Sequence, residues 1–78
     1  MQPTKSTYYL PVSGMESEHC ALIVDKTLQS IPGVIEHAVE FNNRRAVVTV
    51  DGVDVLLQIL KSVRGLGYTI PTVKKSYP

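Results

Sequence analysis

The feature that most limits how this 78-residue chain can fold is the order in which two hydrophobic periods alternate along it. Helical spacing of three and four runs through Ala21, Val24, Leu28 and Ile31. It returns in Val53, Leu56, Ile59, Leu60 and Val63, where Leu57 broadens the stripe. Strand-prone residues fill the stretches between and around them: Ser6 to Val12, Val34 to Phe41, Arg45 to Val50 and Tyr68 to Val73. The spacing predicts strand, helix, strand, strand, helix, strand.

The residues that break these runs agree with that order. Pro11 carries no backbone donor and is placed at the end of the first strand. Ser17 is a candidate N-cap for the first helix, whose side-chain oxygen would accept from a backbone N–H of the first turn. Pro32-Gly33 stops that helix, and Asn42-Asn43-Arg44 is a hairpin signal between two strands. Asp51 is expected to cap the second helix, with Asp54 as its capping-box partner, and Gly65 or Gly67 to end it.

A chain of this length makes one domain, near the lower size at which a single core suffices. We expect a leader over residues 1–5, a folded domain over 6–73 and a polar tail over 74–78. With 44% hydrophobic and 19% charged residues the composition is that of a globular domain and excludes a disordered one. Formal net charge is +1 with basic residues scattered, so neither nucleic acid nor a membrane surface is indicated as a partner. No apolar run approaches 18 residues, so no direct membrane insertion is expected. The one cysteine excludes an internal disulfide framework and suits a reducing, cytoplasmic or cytosol-facing setting.

Chemistry concentrates in Ser13-Gly14-Met15-Glu16-Ser17-Glu18-His19-Cys20, where strand gives way to helix. In the first helical turn the Cys20 sulfur lies near unpaired N–H groups, which favour the thiolate, while Glu16 and Glu18 oppose it. A thiolate is a soft ligand for Cu(I) or Zn(II), and the imidazole of His19 is a borderline one. Ser17 and Cys20, three apart, share a helix face, whereas His19 and Cys20 are about 100° apart. An enzyme is not expected, because beyond His19 and the flanking glutamates no general base is within reach of Cys20, and so small a domain has no room for a deep pocket.

The segment from Gly14 to Cys20 resembles the G-M-x-C-x-x-C loop of the heavy-metal-associated domain family, found in small copper chaperones and at the N-termini of metal-transporting P-type ATPases. Ile31-Pro32-Gly33-Val34 is similar to that family's turn after the first helix, Arg45 to Val50 to its third strand, and Gly65-Leu66-Gly67-Tyr68 to the entry of its last strand. The likeness covers residues 6 to 73. It implies an α+β fold: a ferredoxin-like βαββαβ open-faced sandwich, with a four-stranded antiparallel sheet in the order 4-1-3-2 and two helices on one face. On that topology Ile35, His37, Val39 and Phe41 share the face beneath the helices. His37 then lies several residues below the loops, at roughly 3.4 Å per residue, as a structural histidine.

By the resemblance, Met15 matches a loop methionine that packs inward, Cys20 the second metal cysteine, and Tyr68 a position beside the thiolates. Ser17 stands where the family has its first metal cysteine. A two-thiolate Cu(I) site therefore cannot form within one copy of this chain. The implied function is binding and transfer of a soft metal, Cu(I) first and Zn(II) second. The ligands are Cys20 and His19, with Glu18 and Ser17 as weaker donors. The metal would be shared with a partner metal-binding domain or transporter, or would bridge a homodimer. The alternative is a docking or regulatory domain that keeps the fold and has lost the metal.

Overall fold

A computed structural model describes residues 5–75. The expected residues 1–4 of the leader and 76–78 of the tail lie outside the described residues. The elements follow the predicted order: β1 (Ser6–Pro11), α1 (Glu18–Gln29), β2 (Val34–Glu40), β3 (Arg45–Val50), α2 (Val53–Gly65) and β4 (Lys74–Lys75). The strands form one antiparallel sheet in the order β2-β3-β1-β4, the order expected.

The core is built from one face of the sheet and one stripe of each helix. Leu10 from β1, Ala46, Val48 and Val50 from β3, and Val24, Leu28, Ile59 and Val63 from the helices are buried together. Complete burial of one such aliphatic side chain contributes about 1.5–3 kcal/mol. The alternation in β3 is regular, and its outward residues Arg45, Val47 and Thr49 lie on the open face. Directly opposite residues of paired strands point to the same face, which puts Tyr9 and Thr7 of β1 beside Val47 and Thr49. Thr7 and Thr49 hydroxyls hydrogen-bond there at 2.9 Å, and Arg45 stacks on Tyr9 and pairs with Glu40.

Four expectations are corrected. Ile35 does not join His37, Val39 and Phe41 under the helices: a bulge between Val34 and Glu36 inserts one residue into β2, and Ile35 is 48% exposed. In α2, Leu56, Ile59 and Val63 are buried but Val53 and Leu57 are exposed, because the helix covers the sheet with a narrower stripe than its sequence offers. The cap of α2 is Gly52, with no side-chain cap hydrogen bond, instead of Asp51. Finally, β4 is Lys74–Lys75, within the expected tail, and not a continuous strand from Tyr68. Thr69 makes an isolated bridge with Ser13, Pro71 then lacks the N–H that a ladder needs, and pairing resumes where Lys74 and Lys75 meet Tyr9 and Tyr8.

The connections place three loops at one end. The Val12 amide donates to the Arg44 carbonyl at 2.8 Å, and Ser13 and Thr69 exchange hydrogen bonds at 2.8 and 3.1 Å. Loop 12–17, the 41–44 turn and the segment around Tyr68 are thereby tied together. His37 is away from this cluster, with Nδ1 2.7 Å from Asp25 of α1, a contact that fastens β2 to that helix. This is the structural role expected of it. Among the described residues no helix is long and apolar enough to cross a membrane.

Candidate metal centre

The centre is built from how the chain enters α1. Gly14 has a φ of +111°, a conformation that L side chains rarely adopt. A Cβ there would lie 2.9 Å from Cδ1 of Tyr68, so glycine also lets the aromatic ring close over the loop. The next residue, Met15, turns inward and is completely buried, as the family resemblance implied. Its thioether belongs to the core, anchoring the loop from beneath.

Ser17 is the N-cap of α1, in extended conformation, and its Oγ accepts from the Cys20 amide at 3.3 Å. The same hydroxyl donates to the Cys20 sulfur at 3.5 Å. Ser17, which by the family resemblance stands at the first cysteine position, is therefore both helix cap and hydrogen-bond donor to the sulfur. The Cys20 side chain is half-buried and is a free thiol. Hydrogen bonds from the Ser17 hydroxyl, then from Tyr68, lower its pKa from the ordinary 9.0 to about 7. Burial opposes them more weakly. Tyr68 is correspondingly raised, first by its hydrogen bond to the Cys20 sulfur and then by burial and the nearby negative charges. Near neutral pH a substantial fraction of Cys20 is thiolate, the form that binds soft metals.

The other expected donors are not gathered around the sulfur. Glu18 and His19 are exposed residues of the first helical turn, next to Cys20 in sequence but on different helix faces. Among the described residues no group of three or more His, Cys, Asp and Glu side chains could hold a metal ion. One chain thus offers one strong soft donor, with a hydroxyl beside it. Arg44 is a residue that sequence reasoning did not assign to the site. Its guanidinium donates to the Met15 carbonyl, and no periodicity or motif marks a single turn residue for such a role.

A βαββαβ sandwich with a thiol at the start of α1 and an inward methionine beneath it is the architecture of a class of small metal-binding domains. The chain belongs to the heavy-metal-associated domain family, whose model matches residues 10–69. It is 33% identical over 73 residues to copper-transporting ATPase 2 of Rhizobium meliloti (strain 1021), a match that covers 92% of this chain and 9% of that protein. It thus spans about a tenth of that relative. Among solved structures it is similar to the CopZ metallochaperone, with 30% identity and a TM-score of 0.76 over 83% of this chain and 98% of that one. It is also similar to oxidized MerP from Ralstonia metallidurans CH34, with 29% identity and a TM-score of 0.75 over 94% of this chain and 99% of that one.

Proposed function

We propose that this domain binds Cu(I) through the Cys20 thiolate and hands it on, with the second strong donor supplied by another chain. The observation that carries this reading is the tuned sulfur: Ser17 and Tyr68 both donate to Cys20, and its pKa is lowered to about 7. A thiol kept only for packing needs neither donor. The family's chaperone and ATPase members support metal binding and transfer as the general role. Zn(II), which also takes thiolate and imidazole ligands, is the second candidate ion.

The donor set decides the form of the site. Cu(I) is satisfied by thiolates, and a serine hydroxyl is a hard, protonated and weak ligand. With Ser17 committed to the Cys20 amide and sulfur, the complement must come from outside: a thiolate of a partner metal-binding domain or transporter, or, with no partner present, Cys20 of a second copy. His19 and Glu18 are exposed and available as auxiliary donors in such a shared site. A single protein thiolate also leaves the ion open to attack by an incoming one, which suits handover. The setting we infer is cytosol-facing.

Competition titration with a chromophoric Cu(I) chelator tests the proposal. Cys20→Ala should abolish binding, and Ser17→Cys should tighten it by orders of magnitude by completing two thiolates in one chain. Equal affinity in all three proteins would eliminate the site. Equal and negligible binding by wild type and Cys20→Ala, with strong binding by Ser17→Cys, would favour the docking domain that has lost its metal.

A further inference from the structure

Arg44 is the only non-glycine residue with a positive φ, +49°, among the described residues. Residues of this kind rarely adopt that conformation, and those that do cluster at functional sites. Asn42 and Asn43, which tolerate it better, sit immediately before it. The turn itself is closed by the Arg44 amide donating to Phe41 at 3.0 Å, a contact that any residue could make.

Both ends of Arg44 reach the metal loop, and the end particular to arginine is the guanidinium. Its carbonyl accepts from the Val12 amide at 2.8 Å, and its Nη1 donates to the Met15 carbonyl. The guanidinium is steadied by the ring of Phe41, 5.4 Å away. We propose that Arg44 is the positioning residue of the metal loop, gripping it at Val12 and Met15 and so fixing the approach of the chain to Ser17 and Cys20. Resting on the function proposed above, the consequence is that Arg44 slows release of the metal by holding the loop in its binding shape.

Met15 is held by its side chain in the core and by its carbonyl on Arg44, while Ser13 is held by Thr69. Between these points the chain has little freedom left, and two residues later Ser17 must meet the Cys20 amide and sulfur. A donor group placed by a rigid surround holds its ligand geometry better than one on a mobile loop. A charged donor on a carbonyl is among the stronger hydrogen bonds available for this purpose. The left-handed backbone lets the Arg44 carbonyl face Val12 while its side chain faces Met15.

Arg44→Gly is the informative variant, because glycine keeps the positive φ and the carbonyl while removing the guanidinium. Arg44→Lys retains one donor, and Arg45→Gln removes the same charge from the neighbouring residue, whose side chain serves the open face of the sheet. Amide hydrogen exchange at Ser13 and Cys20, Cu(I) release to excess chelator, and urea unfolding are compared across the four proteins. In Arg44→Gly, exchange at these amides and the release rate should each rise about tenfold or more, in proportion to the lost charge-assisted bond. Arg44→Lys should fall between, and Arg45→Gln should match wild type. Unchanged exchange in Arg44→Gly, or the same rise in Arg45→Gln, would overturn the assignment. Faster exchange in Arg44→Gly with no Cu(I) bound by any of the four would uphold Arg44 as the loop's grip and sink the metal-binding reading alone.

Discussion

The two helices of this domain start in different ways. Each follows a strand and packs on the same sheet, yet α1 begins with Ser17 bonded to the amide and sulfur of Cys20, while α2 begins at Gly52 with no side-chain cap. Gly52 serves α2 through its carbonyl alone, which accepts from Val55 at 3.2 Å and Leu56 at 3.5 Å. The crossing from strand to helix therefore does not require a capping side chain in this fold. What surrounds the start of α1 exceeds that requirement: a positive-φ glycine, a buried methionine, a serine bonded to sulfur, and a tyrosine and an arginine brought in from two other loops. We assign these to the proposed site, and the bare start of α2 serves as their internal control.

The contrast breaks most readily at Met15. Met15→Ala removes a completely buried side chain from beneath the loop and should cost about 2–5 kcal/mol in urea denaturation, whereas Val53→Ala at the exposed start of α2 should stay within about 0.5 kcal/mol. Similar losses at the two positions would mean that Met15 does not anchor the loop. A smaller loss of about 1 kcal/mol is expected for Ser17→Ala, the usual effect of deleting a serine cap. That variant should also move the pH midpoint of Cys20 alkylation upward from about 7 toward 9, because the Ser17 hydroxyl is the largest cause of the lowered value.

The sign of the pH dependence follows from the same shift. The Cys20 pKa is depressed in the folded chain, so its contribution to stability is complete above about 9 and is lost as pH falls through about 7. Ser17→Ala should flatten this dependence. Metal affinity has the same direction, falling as protons compete for the sulfur below about pH 7. The smallest expected effect is a gain. Gly52 is extended, with φ 173°, and a Cβ there meets nothing within 4 Å. Gly52→Ser should therefore stabilise the domain by about 0.5–1 kcal/mol, through a new cap and a less flexible unfolded chain. A loss instead would show that α2 cannot accept the treatment given to α1.

Much of the fold was legible because it rests on period and punctuation. Ala21, Val24, Leu28 and Ile31 are all buried as their spacing predicts, and Ser17 caps where a serine before an apolar run should. The departures have local causes that a pattern does not carry. A single bulged residue turns Ile35 outward, and Pro71 pushes β4 to Lys74–Lys75. The exposure of Val53 and Leu57 reflects how much of α2 the sheet can cover, which depends on packing and not on the helix's own sequence.

The site was legible only in part. The spacing of three pairs Cys20 with Ser17, and their contact in the structure follows from it. His19 and Glu18 are candidates by their chemistry, and the structure places them on the exposed first turn without gathering them at the sulfur. The charge of Arg44 is visible in the sequence as one of the basic residues, with Arg45 and Arg64, that could face a partner, but its grip on the loop is not, because that depends on a left-handed φ and on a contact 29 residues away in sequence. Functions that rest on one backbone conformation are invisible to composition and periodicity alike.

In the proposed function a lone thiolate obliges the metal to be shared between chains. Anaerobic native mass spectrometry of the reduced protein with increasing Cu(I), repeated with Cys20→Ala, tests it most directly. A shared site should give a species with one copper per two chains that disappears in the mutant. Bare monomer at every ratio, or the same copper load on Cys20→Ala, would contradict it.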